Sequence, residues 1–144
     1  MHLYAYSKRP RVNAVIHCHP IFASAFAVHG EGLNKHILPE VILNLGKVPL
    51  CEYATPLTDK ITKALEPYIN YSWAFLLSNH GAVTLGKELK DAYYKMEKLE
   101  HTAKIIFLAR QLGGEKELHL EKVQDLLKIS RETHAVDQDW RNIF

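Results

Sequence analysis

Cysteine is scarce in this sequence, with Cys18 and Cys51 the only two. Two thiols make a poor disulfide framework and fit a reducing compartment, so a cytoplasmic location is expected. Long apolar runs are missing as well. The longest, such as Trp73–Leu77 and Ile105–Ala109, fall far short of the roughly 20 residues that a membrane span needs. The first ten residues, MHLYAYSKRP, contain no apolar stretch behind a basic start, which argues against a secretory signal. Charge of one sign is also absent: 18 Lys and Arg stand against 16 Asp and Glu, scattered along the chain. That balance gives no reason to expect a nucleic acid or an anionic membrane as partner. Repeats, low-complexity tracts and linkers are lacking too, and the 144 residues read as one domain spanning 1–144, with about 134–144 as an aperiodic tail.

What is present is an ordinary globular composition, 47% hydrophobic and 24% charged, with an excess of histidine, nine in all. Val12–His19 is short, β-branched and bounded by prolines, so it reads as a buried strand. Pro20 then suits the start of a helix over Ile21–Val28, stopped by Gly30 and Gly32. Residues 33–45 are ambiguous, with a helical turn possible from Pro39 to Gly46. Val48–Tyr53 looks like a strand that Pro49 pushes to a sheet edge.

Thr58 is expected to cap a short helix over Asp59–Leu65. Trp73–Leu77 is apolar on both faces, as an interior strand is, and Ala82–Gly86 returns as another after the turn Ser78–Gly81. From Lys87 to Leu112 the period changes to 3.6. Leu89, Ala92, Tyr93, Met96, Leu99, Ala103, Ile106 and Leu112 fall on one stripe, so a long helix is expected there. A last helix is predicted over Leu120–Glu132, with Val123, Leu126, Leu127 and Ser130 at helical spacing.

The histidines carry the chemistry. Successive side chains of a strand point to opposite faces, so His17 and His19 share a face and Cys18 does not. Two imidazoles on one strand face are either core histidines bonded to carbonyls or a fixed pair of metal ligands. His80, on a strand-end turn beside Gly81, is placed to reach over the sheet edge as a third ligand. Three neutral histidines that leave one position open are the arrangement of a catalytic zinc rather than a structural one. His2, His29, His36, His101, His119 and His134 lack such support from their neighbours.

The segments Ala14–Pro20 (AVIHCHP) and Ser78–Gly86 (SNHGAVTLG), with a helix carrying Ala92, Leu99, Glu100 and Ala103, resemble the class II aldolase and adducin family. The spacing of the two histidine motifs is most similar to that of its fuculose-phosphate aldolase branch. The resemblance implies an α/β fold, a three-layer α/β/α domain with a mostly antiparallel central sheet, lacking here its first elements. It implies a divalent metal, usually zinc, on His17, His19 and His80, and no other cofactor. The implied reaction is aldehyde-lyase cleavage of a phosphorylated ketose such as fuculose 1-phosphate. The metal would stabilise the enediolate on the way to dihydroxyacetone phosphate and an aldehyde.

The resemblance also implies an acid/base glutamate just upstream of Met1, together with phosphate-binding loops before it. The chain as given is therefore expected to be weak or inactive, with no catalytic residue assigned inside it. Family aldolases also place a tyrosine from the C-terminal tail into a neighbour's site, whereas the last tyrosine here is Tyr94. Glu40, Glu52 and Glu100 are the carboxylates open to nomination, Glu100 also as a group that orients a metal histidine, although structural roles fit all three. A homotetramer is the implied assembly. The alternatives are a pentulose-phosphate 4-epimerase relative and an adducin-like assembly module. Retention of all three histidines argues against the second.

Overall fold

The computed structural model describes residues 1–56, 58–134 and 139–144, with the backbone alone at 133 and 134. The chain runs α1 (His2–Lys8), β1 (Ala14–Cys18), α2 (Ile21–His29), α3 (Pro39–Asn44), β2 (Leu50–Cys51) and α4 (Lys60–Leu65). It continues with β3 (Ala74–Leu77), β4 (Gly81–Gly86), α5 (Leu89–Gln111), α6 (Leu120–His134) and a 3-10 turn at Trp140–Asn142. The strands form one sheet in the order β1-β4-β3-β2. β4 pairs antiparallel with both β1 and β3, whereas β2 pairs parallel with β3. The sheet is thus mixed but mostly antiparallel, and Pro49 precedes an edge strand as expected.

Two apolar clusters flank the sheet and make three layers. On one face Ile16, Cys18, Leu76 and Ala82 pack with α2, α3 and α5 through Ala23, Phe26, Ala27, Leu45, Leu99 and Ala103. On the other, Val15, Phe75, Val83 and Leu85 meet Ala5 of α1 and Leu65 of α4. The small residues Ala23, Ala27 and Ala103 are fully buried, so α2 and α5 lie close together over the sheet. Burial on both faces is why β3 and β4 read as continuous apolar runs. Every residue of each is buried.

α2 begins at Pro20, and the Glu100 carboxylate of α5 accepts from the N–H groups of Phe22 and Ala23 at 2.9 and 2.8 Å. That satisfies two donors the first turn cannot use and places a negative charge at the positive end of the helix. Gly30, at φ 87°, ends α2 in the left-handed conformation, as expected. Beyond it Arg110 grips Glu31 through two 2.7 Å bonds and Glu115 through bonds of 3.3 and 3.0 Å, tying this loop to the end of α5. Arg110 and Lys35 together hold the Glu115 carboxyl down to about 2.

Several local expectations are corrected. Thr58 does not cap α4: its hydroxyl donates to the Thr55 carbonyl at 2.7 Å, and Asp59 precedes the helix without a side-chain cap bond. The α5 stripe holds from Ala92 to Ile106, but Leu89 and Leu112 are 68% and 89% exposed and Tyr93 also faces solvent. The helix outruns the sheet at both ends, so the periodicity continues where nothing covers it. α1 had no periodic signal and was not expected. Residues 135–138, inside the predicted tail, lie outside the described residues, and near its end Asn142 and Ile143 are buried against the fold. Asn142 Nδ2 donates to Leu45 O at 2.6 Å, Asn142 O accepts from Lys47 N at 2.7 Å, and Ile143 packs on Ile42 and Val123. Gly46, at φ 67°, makes this possible, because a Cβ there would run into Asn142.

Candidate metal centre

The C-terminal end of β1, the C-terminal end of β3 and the start of β4 all lie at one end of the sheet, where the registers Cys18↔Ala82 and Leu77↔Gly81 bring them side by side. His17 is on β1, His19 just beyond it and His80 on the β3–β4 turn. The pleat sends Ile16 and Cys18 to the α2/α5 side, and Val15 to the α1/α4 side. His17 and His19 therefore share the α1 side, with Cys18 turned away. Burial and the nearby Glu100 carboxylate push the Cys18 thiol up, another mark of the opposite face.

Two backbone features deliver His80. Asn79 adopts φ 55°, the left-handed conformation that asparagine tolerates better than most residues, and its N–H donates to Ala27 O at 3.1 Å. The turn is thereby anchored to α2. Gly81 follows, where a Cβ would come within 2.6 Å of both the Cys18 carbonyl oxygen and the His19 ring. Only a residue without a side chain lets β4 start that close to the imidazole.

The three rings converge. Centroid separations are 5.0 Å for His17–His19, 4.8 Å for His17–His80 and 5.1 Å for His19–His80. Each offers a ring nitrogen, and these atoms lie within 4.8 Å of one another. Among the described residues this is the one cluster of three such side chains. His17 Nδ1 sits 3.0 Å from the Ala82 carbonyl oxygen. A carbonyl only accepts, so Nδ1 carries the proton and Nε2 keeps its lone pair for the centre of the cluster, as in most histidine metal sites. Burial and the two neighbouring imidazoles lower the pKa of His80, which favours the neutral, ligating form. His19 is exposed and the other two half-buried, so the cluster faces solvent. These donors suit a divalent ion of intermediate softness, Zn2+ foremost.

The remaining candidates separate from the cluster. Glu100 caps α2 on the far face and does not orient a cluster histidine. Glu40 lies in the first turn of α3 and Glu52 is exposed beside β2. His29 is 3.8 Å from Glu31, and His36 bonds the Ile143 carbonyl at 2.7 Å. The exception is His2, at the start of α1: burial first, then the amino terminus and His17, lower its pKa, so α1 begins within electrostatic reach of the cluster. Its position was not legible because α1 itself was not.

Residues 1–107 match the family model described as Class II Aldolase and Adducin N-terminal domain. The chain belongs to the class II aldolase and adducin family. The 3-oxo-tetronate 4-phosphate decarboxylase of Escherichia coli O6:H1 is 38% identical over 112 residues, covering 74% of this chain and 52% of that protein. The L-fuculose phosphate aldolase of Methanococcus maripaludis is 32% identical over 116 residues, covering 78% and 61%. A solved L-fuculose 1-phosphate aldolase superposes with TM-score 0.81 at 28% identity, over 90% of this chain and 61% of that one. The chain thus spans between half and two thirds of the length of these relatives. Fold and family are those the two histidine motifs imply, and the decarboxylase adds a second reaction among the relatives.

Proposed function

We propose that His17, His19 and His80 hold one divalent metal, Zn2+ by preference, and that the whole protein is a metal-dependent lyase cleaving a carbon–carbon bond in a phosphorylated sugar derivative. The single observation that carries this reading is the convergence of three imidazoles within 4.8 Å at an accessible sheet end. The family and the two kinds of relative support it.

The relatives' names point to one chemical demand. Cleaving fuculose 1-phosphate, and removing carbon dioxide from 3-oxo-tetronate 4-phosphate, both push the electron pair of a broken C–C bond toward a ketone. Both leave the same three-carbon keto phosphate, dihydroxyacetone phosphate. What a bound divalent ion supplies there is Lewis-acid stabilisation of the negative charge developing on the ketone oxygen. The part of this chain is positional. His17 is fixed by the Ala82 carbonyl and His80 by the anchored turn, while Gly81 leaves room for the His19 ring beside them.

Aldol cleavage is one reading for this chain. Decarboxylation is the second, favoured by identities of 34–38% to decarboxylases of two Escherichia coli strains and of Pectobacterium atrosepticum. The two unpaired cysteines suit a cytoplasmic setting, and no described helix is long and apolar enough to cross a membrane. Metal analysis of the purified chain is the direct test. We expect about one zinc per chain, reduced at least tenfold in His80→Ala, since losing one of three ligands removes much of the binding free energy. Metal content unchanged by that substitution defeats the proposal. Separate assays of aldehyde and carbon dioxide release by the full-length protein then decide between the two reactions.

A further inference from the structure

At the end of the sheet away from the histidines lies a cavity of roughly 630 Å3, bounded by the α1–β1 loop, the turn before β3, the end of α6 and the 3-10 turn. β3 alone spans on the order of 13 Å between the two ends, so this space and the metal centre do not overlap. Its lining is far more cationic than a chain of net charge +2 leads one to expect. Among the described residues of the lining, Lys8, Arg9, Arg11 and Arg131 stand with one carboxylate, Asp139. That carboxylate is already engaged by Arg141 through bonds of 2.9 and 2.6 Å. Among the described residues, Arg11 and Arg131 have no ion-pair partner.

Arg9 is held firmly in the wall. Its Nη1 donates to the Ser72 carbonyl at 2.5 Å, and its guanidinium lies 3.9 Å from the centre of the Trp73 ring. Burial lowers its pKa to about 10, and the nearby Asp139 carboxylate offsets this only in part. Like charges gathered in a partly desolvated hollow repel one another unless an anion joins them. Opposite stands Trp140, 68% exposed, on a turn whose following residues Asn142 and Ile143 are buried. An indole mounted on a fixed base and left open to a cationic hollow is a surface for stacking a flat ring.

We propose that this cavity binds a nucleoside phosphate, with its phosphate against Arg9, Arg11 and Arg131 and its base against the Trp140 indole. Guanidinium forks match phosphate oxygens two at a time, which a sulfate-sized hole lined by lysine would not do as well. The volume falls in the range of small-ligand sites. The inference stands on residues apart from the histidine cluster and holds whichever lyase reaction that cluster serves.

The test is titration of the intact chain with ADP at low salt, followed by tryptophan fluorescence. We expect saturable quenching with a Kd below about 1 mM. The double variant Arg11→Ala/Arg131→Ala, in which both side chains are exposed and the fold keeps its melting temperature, should weaken binding about tenfold or more. Trp140→Ala removes the fluorescent reporter itself and is followed by titration calorimetry, in which it should weaken ADP while leaving inorganic phosphate unaffected. Absence of saturable quenching overturns the proposal, as does equal affinity in the double variant. Full displacement of ADP by dihydroxyacetone phosphate also overturns it, because that would put the nucleotide at the histidine cluster.

Discussion

Single residues decide whether the three imidazoles meet. His17 and His19 are brought together by the two-residue period of a strand alone, but the approach of His80 depends on its neighbours. Asn79 takes a positive φ and Gly81 removes a side chain from the path of the His19 ring. Gly81→Ala would place a methyl carbon against the Cys18 carbonyl oxygen and the His19 imidazole, and the first of these is backbone that cannot move without opening the β1–β4 ladder. We expect it to cost about 1–3 kcal/mol of stability and to lower zinc affinity by about tenfold or more. Urea unfolding and competition with a zinc chelator measure the two effects. Wild-type affinity in the variant would show that His19 adapts freely and that the glycine serves only the turn.

At the scale of elements, the helices explain where residue patterns succeed and fail. α5 buries Ala92, Met96, Leu99, Ala103 and Ile106 because the sheet and α2 lie beneath that stretch, whereas its ends extend past both. α1 is seven residues long, too short to display a period, and tertiary contacts through Ala5 hold it. α2 carries no capping side chain of its own, and Glu100, from 77 residues further along the chain, takes that role. Glu100→Ala removes both acceptors from the first turn of the helix that immediately follows His19 and Pro20. We expect a loss of about 1–2 kcal/mol, read as a lower urea midpoint with unchanged slope. A midpoint equal to that of the parent would mean that water caps α2 equally well.

For the whole molecule, the open features are edges and faces. β1 is an edge strand, paired only with β4 among the described residues. Tyr93, Tyr94, Phe107 and Leu108 of α5 are exposed as well. Free strand edges and exposed apolar helix faces favour association, and we propose a homotetramer as the assembled form. Sedimentation at micromolar concentration should show a species larger than the monomer. A monomer throughout that range would mean that the strand edge and the α5 face remain solvated.

The start of α2 at Pro20 and its stop at Gly30, the histidine pair, the central apolar strands and the family itself were legible in the sequence, because they arise from local rules. Alternation on a strand, the fixed φ of proline, the left-handed freedom of glycine and two short motifs need no knowledge of distant neighbours. What only the tertiary structure decided are the contacts between segments far apart in the chain. They include the meeting of His80 with His17, the service of Glu100 to α2, the docking of Asn142 beside Gly46 and the gathering of Arg9, Arg11 and Arg131 around one hollow. No periodicity encodes these, since each depends on which surfaces the sheet order and the layers bring face to face.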